Sequence, residues 1–246
     1  MPGPSEWSPP AWSPQPAPPK GNTGRRNTII GVVVAAVVAF AAIALLGTRS
    51  KSSSSSSIGE VSDQSVAVDS AGGPTITAHT AAVSVTLPDR WVGASVEDGV
   101  TGVAAQLFPD DPSVGSVLES RLSVLPRAVV LFGADGDAVR AKDRFIPNLN
   151  VLHDTSVPSS YSLDEAGRAE VRGLGVIGKV QNQSTVALGR NEVVRVEYKV
   201  NNGTFAGVMY LVKTGGQFWV LTYSFTELSD TNRALADSSA ATFQQD

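Results

Sequence analysis

The sequence predicts an α+β fold: a twisted antiparallel β-sheet flanked by about three helices, preceded by one transmembrane helix. Three observations predict it. Thr28 to Gly47 is an unbroken run of twenty uncharged, almost wholly apolar residues. Residues 177–225 alternate apolar and polar positions between hairpin-type turns, the period of strands. Ser116–Glu119 and Ser162–Glu165 each have the spacing of a helix capping box.

The elements follow in chain order. Residues 1–27 form a Pro-rich tail, extended or disordered because proline supports neither helix nor central strand. Trp-Ser-Pro occurs twice in it, at Trp7–Pro9 and Trp12–Pro14. The repeat reads as a docking peptide for an aromatic groove, as a Ser-Pro phosphorylation site, or as a solubilising tail. Thr28 to Gly47, at about 1.5 Å per helical residue, covers the roughly 30 Å hydrocarbon core of a bilayer. A cleaved signal peptide is the rival reading, but its apolar core is shorter, about 7–15 residues. The chain has no cysteine, which excludes a lipidated anchor.

Orientation follows from flanking cations. Lys20, Arg25 and Arg26 precede the span; Arg49 and Lys51 follow it. Residues 1–51 carry net charge +4 and residues 52–246 net −8, together the chain's −4. The expected topology places the N-terminus in the cytoplasm and the C-terminal domain outside. Gly31, Ala35 and Ala39 share one helix face, a small-residue spacing that would suit a weak homodimer through the membrane helix. Residues 48–74, with serine at 52–57, read as a flexible tether.

Residues 75–246 are enough for one domain with a real core. Without disulfides, apolar packing must hold it. Val83–Leu87 alternates and stops at Pro88-Asp89, a strand and a turn. Val103–Phe108 reads as a second strand closed by Pro109. Ser116 opens a short helix with Leu118, Leu122 and Leu125 on one face. Ala128–Phe132 reads as a buried strand stopped at Gly133, and Leu149–His153 as another. The helix opened by Ser162 is expected to end at Gly173. Four strands follow, near 177–186, 192–200, 205–213 and 217–225. Asn201-Asn202-Gly203 and Thr214-Gly215-Gly216 turn between them. A final helix spans about 229–243, with Leu235 and Phe243 facing inward.

In this order of elements the domain resembles the PsbP-like α/β fold of the Ran-binding Mog proteins and of LpqN-type actinobacterial envelope lipoproteins. The residues carrying the resemblance are the opening strand into Leu87-Pro88-Asp89-Arg90-Trp91, the segment Phe145–Val151, the four-strand meander and Phe243 near the end of the last helix. The resemblance implies a non-enzymatic interaction or carrier domain of the cell envelope. Here a membrane helix would replace the lipidated cysteine of those lipoproteins.

No motif specifies a reaction. Gly173-Leu-Gly-Val-Ile-Gly178 matches a dinucleotide fingerprint, but a helix precedes it and a strand follows, the reverse of the required order. Asp135-Gly-Asp137 lacks the remaining spacing of a calcium loop. His79 and His153 are the only histidines, expected in different strands, and no serine sits in a nucleophile elbow. Asn148 and Asn150, and the alternating aromatics Trp219, Tyr223 and Phe225, are the candidate binding residues; strand and core roles compete for them. Net negative charge argues against nucleic acid. The expected function is therefore a membrane-anchored, extracytoplasmic binding module without catalysis or cofactor. Its expected partner is an envelope protein or lipid. A carrier of a small apolar or lipid ligand is the alternative, and a cryptic hydrolase the weakest reading.

Overall fold

The computed structural model describes residues 72–245, except 124, 126–127, 201–202 and 204. The tail, the Thr28–Gly47 span and the tether up to residue 71 lie outside the described residues. No described helix is long and apolar enough to cross a membrane.

The domain is a mixed α/β fold built on a large antiparallel sheet. The strands are β1 (Thr75–Ala78), β2 (Val83–Thr86), β3 (Trp91–Ser95), β4 (Val129–Asp135), β5 (Asn148–His153), β6 (Gly178–Leu188), β7 (Asn191–Val200), β8 (Ala206–Thr214), β9 (Gln217–Phe225) and β10 (Gln244–Gln245). The helices are α1 (Val103–Leu107), α2 (Pro112–Leu122), α3 (Gly136–Ala141), α4 (Leu163–Ile177) and α5 (Asp230–Ala240). Seven strands form the main sheet in the order β3-β4-β5-β9-β8-β7-β6, and β1-β2-β10 form a small second sheet.

Two cores lie on the two faces of the main sheet. Val194, Val196, Met209, Leu211, Val220 and Leu152 meet α1 to α4 on one face. Val208, Tyr210, Trp219, Leu221, Tyr223 and Val151 meet the small sheet and α5 on the other. This is why the central strands are buried almost throughout.

Five helices are described where about three were expected, and several local readings need correction. Val103–Leu107 is a helical turn, not a strand. Gly102, at φ 82°, turns the chain left-handed before it. Val103, Ala104 and Phe108 are then buried at helical spacing, and Ala, Gln and Leu favour helix. Helix α2 starts at Pro112, four residues before Ser116. Asp111 Oδ1 accepts from the Ser113 and Val114 N–H groups at 3.2 and 3.1 Å, and proline suits the first helical position.

Strand β4 runs past Gly133 to Asp135, whose carboxylate then caps α3 by accepting from Asp137 and Ala138 N–H. The Ser162–Glu165 capping box is present in full. Its helix passes Gly173 and ends at Ile177. Gly178 provides the terminus instead, in extended backbone at φ −158°. His79 lies on the exposed turn after β1, not in a strand. Helix α5 ends at Ala240, so Phe243 lies beyond it, although still buried.

Strand β3 fixes the small sheet onto the large one. Gly93 pairs with Gly133 across β3 and β4. A Cβ on Gly93 would lie 2.7 Å from Leu87 Cδ1, and one on Gly133 2.6 Å from Leu87 Cδ2. The two glycines make the flat bed on which Leu87 rests. Gly133→Ala should therefore displace Leu87 and cost about 1–3 kcal/mol, as overpacked cores do. Adding Leu87→Val should recover part of that loss. A double-mutant cycle from urea melts measures the coupling; simple additivity would refute the contact's role.

Candidate functional site

At one end of the main sheet β4 begins, β5 ends and β9 begins. The β1–β2 turn and β10 close over this end and leave a cavity of about 600 Å³. Thr80, Ala81, Glu97 and Asp98 line one side. Val129, Val130, His153, Gln217, Trp219 and Gln245 line the other. The volume lies within the range of small-molecule sites, about 300–1,000 Å³.

Glu97 is held in place by the protein's own hydrogen bonds. Its carboxylate accepts the N–H of Thr80 at 3.1 Å and of Ala81 at 2.6 Å, and the Ser95 hydroxyl at 3.3 Å. His153 stacks on Trp219, with ring centroids 4.5 Å apart and planes 17° from parallel. Their strands pair directly at these residues. Trp219 is fully buried, yet its indole Nε1–H has no protein acceptor. Gln245 donates to Gln217 Oε1 at 3.0 Å, while its own Oε1 has no partner.

The other sequence candidates lie elsewhere. Asn148 and Asn150 sit in the interior of β5, almost fully buried. Asn148 Nδ2 donates to Ile146 O at 2.8 Å, and Asn150 Nδ2 to Asn148 Oδ1 at 3.2 Å. Across the strand pair they register with Ser224 and Thr222, two further buried polar side chains. Tyr223 shares Trp219's face but belongs to the core. Its hydroxyl donates to Ser239 Oγ at 2.8 Å, which donates to Thr86 O at 2.6 Å. Burial holds the Tyr223 phenol well above its usual range. Of the four binding candidates, only Trp219 reaches the cavity.

His153 and Asp154, neighbours in sequence, part company. His153 stacks on Trp219, whereas Asp154 is buried beside Glu170 of α4. The Asp154 carboxylate accepts the Ser156 N–H at 2.9 Å and its hydroxyl at 2.5 Å. Burial, then the Asp154 charge, pushes the Glu170 carboxyl well above the usual range. Glu170 Oε1 and Asp154 Oδ2 have no hydrogen-bond partner among the described residues. No group of three or more potential metal ligands occurs among the described residues.

Glu97, Asp98, Gln217 and Gln245 were not singled out by sequence reasoning. They come from separate segments that only the fold brings together. No known family signature matches the chain, and no characterised protein matches it significantly.

Proposed function

We propose that the chain is a non-catalytic binding module of the cell envelope, anchored by Thr28–Gly47 with its C-terminal domain outside. The observation that carries the binding role is the cavity. It is an open cleft of ligand size, lined by Glu97, Asp98, His153, Gln217 and Gln245, with the Glu97 carboxylate held in place by backbone N–H groups. The PsbP-like resemblance, with its envelope setting, agrees with the same assignment.

A protein partner is the second reading. Strand β6 is one of the two edge strands of the main sheet, β3 being the other. Beyond the register irregularity between Val180 and Asn182, the β6 stretch Asn182–Thr185 has neither charge nor proline, two of the devices that blunt an open edge against strand addition.

Because the chain has no cysteine, a single introduced one is unique. Cysteine at Asp98, Gln183 or Val176 can be treated in intact cells with a membrane-impermeant maleimide bearing a photo-crosslinker. All three should be labelled from outside, and adducts should form from position 98. Labelling only after lysis would reverse the topology. Adducts centred on 183 would favour strand addition, and equal capture from exposed Val176 would sink a cavity-specific role.

A further inference from the structure

We infer that helix α4 is a proton-latched flap on the main sheet: it lies closed while Glu170 is protonated and lifts locally when Glu170 ionises. The latch is a pair of carboxyls with no cation between them. Glu170 comes from α4 and Asp154 from the residue after β5, and each is 2% exposed. Glu170 Oε1 and Asp154 Oδ2 have no hydrogen-bond partner. Neither residue forms an ion pair among the described residues. A carboxylate buried this deeply without a cation is strongly unfavourable, and a second carboxyl beside it adds repulsion. The group must keep its proton or reach water.

No other group on this side of the sheet neutralises Glu170. Helix α4 packs on β6, β7 and β8. From β7 comes the Tyr198 phenol, which burial keeps neutral. From β8 comes Lys213, whose Nζ donates to the Ser159 and Tyr161 carbonyls at 2.8 and 2.6 Å. The positions of β6 that pair with Val196 and Val194 on this face are Gln183 and Thr185, which do not titrate. Asp164, Glu165, Arg168 and Arg172 of α4 itself are exposed.

The helix is also weak by composition and held at both ends. Gly167, Gly173 and Gly175 lie within its 15 residues, and glycine weakens a helix interior. Gly167 serves packing, because a Cβ there would lie 2.9 Å from both Val194 methyls. Gly175 does not, because a Cβ there meets nothing within 4 Å. Lys213 holds the chain just before the Ser162 cap, and Gly178 pairs with Val200 just after the helix. Asp154 stays on β9 through its N–H, bonded to Phe218 O at 2.9 Å. Lifting α4 between these two holds parts the carboxyls, wets Glu170 and uncovers Val194 and Val196 beneath. In the closed state burial, then the Asp154 charge, raises the Glu170 carboxyl above its ordinary value of 4.5. In the open state it has the ordinary value. Closure is therefore fully favoured below 4.5 and is lost as pH rises through the closed-state value, with the opening ratio changing at most about tenfold per pH unit.

The test is hydrogen exchange of the full-length chain in phosphatidylcholine nanodiscs, read by mass spectrometry between about pH 5 and pH 8 and corrected for intrinsic exchange. Protection of α4 should fall at least about tenfold across that range, while that of β8 and β9 holds. Glu170→Gln should flatten the α4 profile and leave the helix better protected than wild type at the alkaline end. Gly175→Ala touches no carboxyl and carries little folding risk. It should raise α4 protection about two- to fivefold at every pH and keep the wild-type slope. Should Glu170→Gln fail to fold, a slope confined to α4 in both the wild type and Gly175→Ala still supports the latch. Equal loss from α4 and β9 would make the opening global and overturn the inference. So would a flat α4 profile in the wild type, or an unchanged slope in Glu170→Gln.

Discussion

Arg195→Met should destabilise the domain by about 3–5 kcal/mol, the cost of leaving a buried ion pair's partner uncompensated. Arg195 of β7 is 11% exposed at its side chain and Glu197 is 10% exposed. Its Nη1 lies 2.5 Å from Glu197 Oε1, and its Nε 2.7 Å from Asp237 Oδ1 on α5. The Tyr210 hydroxyl donates to the same Asp237 oxygen at 2.5 Å. Burial alone would lower the Arg195 pKa, but the bonds to Asp237 and Glu197 outweigh it and hold the guanidinium firmly charged. Burial, and then the bond to Asp237, raises the Tyr210 phenol.

After the substitution Glu197 keeps only Arg233, at 3.2 Å and one-third exposed. Methionine fills the space of the arginine stem and leaves the buried carboxylate under-compensated. Urea unfolding at neutral pH measures the loss. The double variant Arg195→Met, Glu197→Leu should recover much of it, since the stranded charge is then gone. A single-variant loss below about 1 kcal/mol, the range of exposed ion pairs, would show that the cluster does not hold α5 to the sheet.

Glu170→Gln should remove a pH dependence that lies under α4. The Glu170 carboxyl is raised in the folded state relative to its ordinary value of 4.5. A raised folded pKa means that the folded state holds the proton more tightly than the unfolded one. The resulting stability is fully present below the unfolded value near 4.5 and is lost as pH rises through the folded value. Over that window the wild-type chain should lose stability as pH increases. Glutamine keeps the shape and one amide donor for Asp154 but has no proton to release. The variant should therefore show a flatter profile and exceed the wild type at the alkaline end. Denaturant midpoints compared at pH 4.5, 6 and 8 give the slope directly. Parallel profiles for the two proteins would mean that Glu170 ionises in the folded state much as it does in the unfolded chain.

The meander was legible because its signals are local. Apolar runs, period-two alternation and the turn at Gly215 and Gly216, with φ 57° and 76°, place β6 to β9 within a residue or two. The Ser162 box was legible for the same reason: its donor and acceptor lie three residues apart. Strand β3 was not. Trp91–Ser95 is short and carries Gly93, which looks like a break until Leu87 is seen resting on it. Val103–Leu107 contains β-branched and apolar residues that fit either period. Only Gly102 and the burial of Val103, Ala104 and Phe108 by other elements decide for helix. Helix α4 passes Gly173 because its inner face, from Ala166 to Leu174, packs on the sheet, a tertiary gain that a terminal glycine signal does not register.

Of the residues lining the candidate site, the sequence singles out only His153 and Trp219. The alternation of Trp219 with Tyr223 and Phe225 marks a face, and that one face supplies both core packing and a wall of the cavity. Glu97, Asp98, Gln217 and Gln245 belong to loops and strand ends with no periodicity. Nothing local ties a glutamine at position 245 to a glutamate at 97. Asn148 and Asn150 were visible as unusual polar positions, but on the face opposite the cavity.

Chain entry at Gly72 and the cavity lie at opposite ends of the β1–β2 hairpin. Gly73 N–H donates to Leu87 O beside the start of β1, and Thr80 and Ala81 line the cavity at the far turn. Strand geometry puts roughly 15 Å between them. Tension between the preceding chain and a ligand in the cavity would run along β1. The rungs Thr75–Thr86 to Ala78–Val83 would then be loaded together in shear, not peeled one at a time. A pulled domain of this build resists as a unit and yields abruptly, and a single-molecule trace would record that as one tall rupture instead of a staircase.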